Sequence, residues 1–267
     1  MQKETREKMG LLLGLVGVIC FSLTLPSLRQ FKSLLIVALG AVLGFPLLTS
    51  WAMKSLPVSH GAVELALLPL ATAGFAMFRG GERPSLKFWV SSIIGSAAVI
   101  VYALHLGFGQ LQFADAALLA AVLILGLSYA EGGGLARELG SWQVIAWAII
   151  IGAPFFMIPV GLSITAEMLH APLQAWVSLI YLSVVSQFLA YVAWYSGMAM
   201  GGIARVSQVQ YLQPFLMILF AALFLGETIT LFTLAIAIIV VFSVVLGKNA
   251  SVSKKEVHPQ KMVNKDA

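Results

Sequence analysis

Nine apolar stretches, each separated from the next by a short polar run, decide what this 267-residue chain can fold into. They lie at roughly 9–26, 33–53, 61–79, 88–106, 114–131, 142–163, 172–198, 204–226 and 229–247. About 20 apolar residues cross the roughly 30 Å hydrocarbon core of a bilayer. Within that core every backbone N–H and C=O needs a partner in the protein, so such stretches form helices. No segment alternates in the manner of a membrane-barrel strand. With 60% hydrophobic and 10% charged residues and a mean hydropathy of +0.96, the chain reads as an all-α polytopic membrane protein. A soluble domain of this size needs more charge to cover its surface.

The stretches are not independent of one another. Pro69 is followed twelve positions on by Gly81-Glu82, and Pro214 is followed at the same spacing by Gly226-Glu227. At the same offset of 145 residues, Met53, Phe75-Ala76 and Leu86 match Met198, Phe220-Ala221 and Leu231. Five apolar stretches separate equivalent points, an odd number, so the second copy crosses the membrane in the opposite sense to the first. Inverted repeats of this kind are how many secondary transporters build two faces around one central site.

Charge placement fixes a topology. Lys248, Lys254, Lys255, Lys261 and Lys265 follow the last stretch, and Arg79, Arg83 and Lys87 share one loop. Placing the tail inside by the positive-inside rule brings that loop, Arg137, Arg205, Arg29 and Lys32 to the same side and leaves Lys54 on the other. The net charge of +5 therefore reads as a membrane-topology signal, and no nucleic-acid partner is expected. The tail is expected to be a solvated cytoplasmic end.

The first stretch breaks the pattern, with Lys3, Arg6 and Lys8 before it and Arg29 and Lys32 after it. It either crosses against the charge rule, lies in the interface or acts as a signal-like segment. Repeat spacing gives the same warning: about 100 residues separate Ala114 from Pro214, but only about 60 separate Met9 from Pro69. The deficit is one helix and its loops. Residues 1–106 therefore read as a first repeat lacking its second helix, 107–247 as a second repeat, and 248–267 as a polar basic cytoplasmic tail. About nine transmembrane helices are expected instead of ten.

A transport path needs polar side chains at membrane depth. Ser207, Gln208, Gln210, Tyr211 and Gln213 crowd the approach to Pro214. Three amides and a phenol supply donors and acceptors without fixed charge, suited to a zwitterionic or polar organic solute. Gln210 and Gln213 are three apart and share a helix face, and Pro214 frees the Gln210 carbonyl. The plain alternative is helix-to-helix hydrogen bonding. Gln187, Tyr191, Trp194 and Tyr195 follow i, i+4, i+7, i+8 spacing and form a second candidate face. Substrate-binding candidates are thus Gln187, Tyr191, Trp194, Gln208, Gln210, Tyr211 and Gln213. Glu64 is the candidate ion or proton site, weighed against snorkelling to nearby water.

Several features argue against other classes. Cys20 is the single cysteine, and the four histidines are isolated, so no metal centre, redox pair or cofactor is expected. No H-E-x-x-H or serine-centred glycine elbow appears, and Gly132-Gly133-Gly134 lacks the Lys-Ser/Thr of a phosphate loop. That run reads as a loose cytoplasmic loop. Gly40 and Gly44 make a small-xxx-small pair. The chain is not read as an enzyme.

The closures Pro69…Gly81-Glu82 and Pro214…Gly226-Glu227, with the segments Leu127–Arg137 and Ala199–Pro214, resemble the EamA-type drug/metabolite transporters. That resemblance covers about residues 9–247. It implies two inverted five-helix repeats, a central cavity and export of amino acids, related metabolites or drug-like solutes from the bacterial inner membrane by alternating access. The expected partners are a small-molecule solute and the lipid bilayer; homo-oligomerisation stays open. The alternative is a non-transporting membrane protein, a remnant or subunit disabled by the missing helix.

Overall fold

The computed structural model describes residues 26–254 apart from 57, 106, 108, 109, 111, 164–170, 227 and 228. Eight helical rods run through this range: α1 (Leu28–Ala52), α2 (Val58–Gly80), α3 (Leu86–His105), α4 (Phe113–Leu139), α5 (Ser141–Ser163), α6 (Leu173–Gly201), α7 (residues 203–225) and α8 (Leu231–Lys248). Seven are long and apolar enough to cross a membrane, and α5 carries a shorter apolar run, Ser141–Met157. Large apolar side chains cover the outside of the bundle, among them Leu28, Phe113, Phe224 and Leu231. That is the surface of a protein solvated by lipid. The first apolar stretch, and with it the count of nine crossings, lies outside the described residues.

The repeat seen in the sequence is geometrically close. Leu28, Val58 and Leu86, advanced by 145, fall on Leu173, Ile203 and Leu231, the first residues of α6, α7 and α8. Gly80, the last residue of α2, falls on Leu225, the last of α7. Both α1 and α6 carry a π-helical stretch, Ala38–Gly44 in one and Tyr181–Leu189 in the other, over equivalent positions. Among the described residues, α4 and α5 have no counterpart in the first half.

The Gly-Glu closures have a local cause. Gly81 has φ 64° and Gly226 has φ 73°, the left-handed conformation that ends a helix and that glycine adopts without penalty. The chain leaves α2 there, forms the short strand β1 (Glu82–Pro84) and enters α3. Strand β2 (Val252–Lys254) pairs antiparallel with β1, Glu82 opposite Lys254 and Pro84 opposite Val252. The start of the tail is thus fastened to the α2–α3 turn, where a solvated end was expected. Arg205 helps, its Nη2 donating to the Ala250 carbonyl at 3.2 Å.

Helix α4 is the centre of the bundle and touches α1, α2, α5, α6 and α7. Small residues let it be approached closely. An added Cβ at Gly40 of α1 would stand 2.5 Å from Ser128 Cβ, and one at Gly126 would stand 3.0 Å from Ala71 Cβ of α2. The Gly132–Gly134 run is helical rather than a loose loop. A Cβ at Gly132 would meet Tyr195 at 2.4 Å, and one at Gly133 would meet Ile203 at 2.9 Å. Gly132 and Gly133 thus serve helix contact, which single-sequence composition could not distinguish from loop flexibility.

Candidate functional site

The polar residues before Pro214 divide between two jobs, and the backbone decides which does which. Proline has no N–H to give the carbonyl four residues back. Residues Gln208–Leu212 tighten into a 3₁₀ turn, and the Gln213 N–H takes the Gln210 carbonyl. The expectation that this carbonyl stays open is thereby corrected. A 3₁₀ turn has three residues per turn, so positions i and i+3 eclipse. Gln208 and Tyr211 fall on one side, Gln210 and Gln213 on another.

The first side is cross-linking. Gln208 is buried, its Nε2 donating to Ser92 Oγ at 2.6 Å and Ser91 Oγ at 3.2 Å on α3. Its amide lies over Gly247 of α8, where an added Cβ would stand 1.5 Å from Oε1. The Tyr211 hydroxyl donates to the Ser92 carbonyl at 3.0 Å and lies 3.0 Å from Ser96 Oγ. Ser96 Oγ in turn donates to the Ala66 carbonyl of α2 at 2.6 Å. Gln208 and Tyr211 tie α7 to α3 and line no part of the cavity described next.

The second side faces a cavity of about 470 Å³ between α4, α6 and α7. Gln210, Gln213, Tyr191, Trp194, Tyr129 and Ser186 supply its polar lining, and Leu216, Met217 and Phe220 much of its apolar lining. Four of the seven sequence candidates, Tyr191, Trp194, Gln210 and Gln213, therefore meet in one place. Trp194 Nε1 and Gln210 Oε1 are buried without a hydrogen-bond partner among the described residues. A buried donor and acceptor left in this way are expensive unless something else meets them. No charged side chain lines the cavity among the described residues.

Gln187 does not share that face. It is exposed, and Ser186 lines the cavity instead. The π-helical stretch Tyr181–Leu189 bonds i to i+5, so the residue beneath Tyr191 is Ser186 and not the Gln187 that α-helical spacing selects. Tyr195 turns inward, fully buried, against Tyr129 with ring centroids 6.3 Å apart. Glu64 lies on α2, but its side chain is outside the described residues.

Tyr129 also lines the cavity, a residue the sequence pattern does not select. Its ring gathers Tyr191 at 6.2 Å, Trp194 at 5.7 Å and Tyr195. A lone phenol within the apolar stretch 114–131 was the available signal.

The end of the bundle at the α2–α3 turn is closed by one carboxylate. Glu82, 1% exposed, accepts from the Ile203 and Ala204 N–H groups at 2.9 Å each, capping α7. It also accepts from Arg137 Nη2 of α4 at 3.0 Å. Arg137 reaches on to the Ala199 carbonyl at 3.2 Å and the Met198 carbonyl at 3.4 Å, capping the end of α6. A negative group thus sits at a helix N-terminus and a positive one at a helix C-terminus, as the helix dipoles favour. Arg79 pairs with Glu131 nearby.

Residues 112–247 match the EamA-like transporter family. The chain is 43% identical over 224 residues, 84% of its length and 78% of the relative's, to a Bacillus subtilis (strain 168) protein named Uncharacterized transporter YdeK. It is 21% identical over 202 residues, 76% of its length and 68% of the relative's, to a Probable terminal-alkyne amino-acid exporter of Streptantibioticus cattleyicolor. A crystal structure at 15% identity superposes with a TM-score of 0.65 over 88% of this chain and 83% of that one, a likeness of fold alone. A family match across half the chain and a relative at 43% identity over most of both proteins agree with the repeat geometry: the chain belongs to the EamA-like transporter family, and is a multi-pass membrane transporter.

Proposed function

We propose that this transporter is a carrier that exports small polar or zwitterionic organic solutes, of the size and character of amino acids, by alternating access. The cavity between α4, α6 and α7 is its solute site. One observation carries the reading: two glutamines, two tyrosines and a tryptophan, drawn from three apolar helices, line one cavity with no charged side chain among the described residues. Amides can meet a carboxylate or an ammonium by hydrogen bonds, and the aromatic rings attract an ammonium through their faces. The printed name of the Streptantibioticus relative agrees with this solute class. The chain sits in the bacterial inner membrane with the Glu82–Arg137 end and the tail in the cytoplasm, following the placement of Arg79, Arg83, Lys87 and Arg137. It works as a carrier and not as a catalyst.

The test is export of labelled amino acids from cells or proteoliposomes. Gln210→Ala and Gln213→Ala are expected to lower export at unchanged membrane abundance, whereas wild-type export in both would remove the cavity assignment.

A second reading is favoured by one feature. The apolar window of α6 has no buried residue, and Trp176, Ile180 and Val184 are all exposed. On that reading the chain transports only in association with a further helix or subunit. Export by the purified, monodisperse chain in proteoliposomes excludes it.

A further inference from the structure

Helix α4 is fastened to the first repeat at both ends, and the two fastenings differ in chemistry. At the inner end Arg137 meets Glu82. At the other end, 22 residues earlier and so about 33 Å away along the helix, Asp115 meets His60 of α2. His60 is 2% exposed, and its Nδ1 contacts Asp115 Oδ1. Asp115 Oδ2 accepts from the Gln112 N–H at 2.6 Å, so the carboxylate is held at the start of α4 and aimed at the imidazole. Directly beside the pair, Ala52 and Leu56 of the first repeat pack on Ala114 and Leu118 of the second. A His–Asp contact therefore seals an apolar seam between the repeats.

Guanidinium stays charged throughout the physiological range. Imidazole gains or loses its proton between about pH 5 and 8. We propose that His60 and Asp115 form a proton-binding site at the outer end of the α2–α4 seam, and that the bound proton holds that end shut. The proton comes from external water, binds the imidazole, and converts a hydrogen bond between neutral imidazole and carboxylate into an imidazolium–carboxylate pair. Its return to that water weakens the seam. The proposal rests on the carrier reading and its orientation.

Among the described residues, the other titratable or charged groups brought to this end are Lys54 in the turn after α1, Glu64 on α2 and His105 at the end of α3. Lys54 is exposed. The His105 ring lies tilted against Phe232 of α8, ring centroids 4.1 Å apart. The Glu64 side chain lies outside the described residues. Among the described residues, His60 and Asp115 are the pair that joins the two repeats here.

The experiment uses the full chain in proteoliposomes with Cys20→Ser and a single Ala114→Cys in the seam. Its labelling rate with a membrane-impermeant maleimide is measured at pH 5.5 and pH 8. Each rate is divided by that of Lys54→Cys on the exposed turn, and Ala114→Cys in the His60→Gln background accounts for the difference in ionisation between the buried and exposed thiols. The ratio is expected to rise about five-fold from pH 5.5 to pH 8, the difference between an imidazolium–carboxylate pair and a hydrogen bond from neutral imidazole to the same carboxylate. His60→Gln and, independently, Asp115→Asn are expected to flatten it. A flat ratio in the parent chain, or an unchanged rise in both variants, overturns the proposal. Amino-acid flux is read in the same vesicles. A pH-dependent ratio without flux keeps the proton site and removes the carrier reading, and flux with a flat ratio does the reverse.

Discussion

Glu82→Ala is the substitution whose consequence the structure fixes most closely. The carboxylate holds two N–H groups at the start of α7 and one guanidinium hydrogen bond from α4. Loss of a capping side chain costs about 1–2 kcal/mol. Breaking a buried ion pair costs about 3–5 kcal/mol when the remaining charge has no recourse. Arg137 has recourse, being 24% exposed and still bonded to the Ala199 and Met198 carbonyls. Its share is therefore reduced to about 1–2 kcal/mol, and the sum for Glu82→Ala is about 3 kcal/mol. Glu82→Gln keeps one acceptor oxygen for α7 and is expected to lose about half of that. Unfolding in mixed detergent and dodecyl sulfate micelles, followed by tryptophan fluorescence, measures both. The cycle with Arg137→Met is expected to show a coupling of about 1–2 kcal/mol, because the two side chains share one hydrogen bond. Stability of Glu82→Ala within about 0.5 kcal/mol of the parent, or strict additivity in the cycle, refutes the account.

Two contrasts among glycines test the packing. Gly132→Ala drives a Cβ into the Tyr195 ring and is expected to destabilise by about 1–3 kcal/mol; Gly134→Ala meets nothing within 4 Å and is expected to stabilise by up to about 1 kcal/mol. Thermal melts in detergent separate the pair. Gly247→Ala displaces the Gln208 amide and with it the 2.6 Å bond to Ser92, so it is expected to lower the melting temperature in the parent but much less in a Gln208→Ala background.

The bundle was legible in the sequence because apolar length and charge asymmetry are one-dimensional signals. The offset of 145 was legible for the same reason, being a comparison of the chain with itself. The site was half legible. Spacing chose Gln210 and Gln213 together, and they do share a face, but on a 3₁₀ turn that also turns Gln208 and Tyr211 away. Spacing chose Gln187 because it assumed 3.6 residues per turn where the chain bonds in a π pattern. Neither departure is written in local composition; each follows from backbone hydrogen bonding around Pro214 and within α6. The histidine set aside as isolated, His60, meets an aspartate 55 residues along the chain, a pairing only three-dimensional contact reveals.

The 145-residue equivalence has a mechanical corollary. Helices α2 and α7 occupy the same number of residues, yet α2 is regular throughout and α7 holds five residues at 3₁₀ pitch. At about 2.0 Å and 120° per residue instead of 1.5 Å and 100°, that turn makes α7 about 2.5 Å longer and winds it about 100° further. The two halves thus share a length of chain but not a length of rod. Shifting the tightened turn from Gln208–Leu212 to the equivalent residues 63–67 of α2 interchanges their shapes, an elongation that paired spin labels along α2 would register. On the alternating-access proposal, the difference between two of its own helices then describes the opposite-facing state.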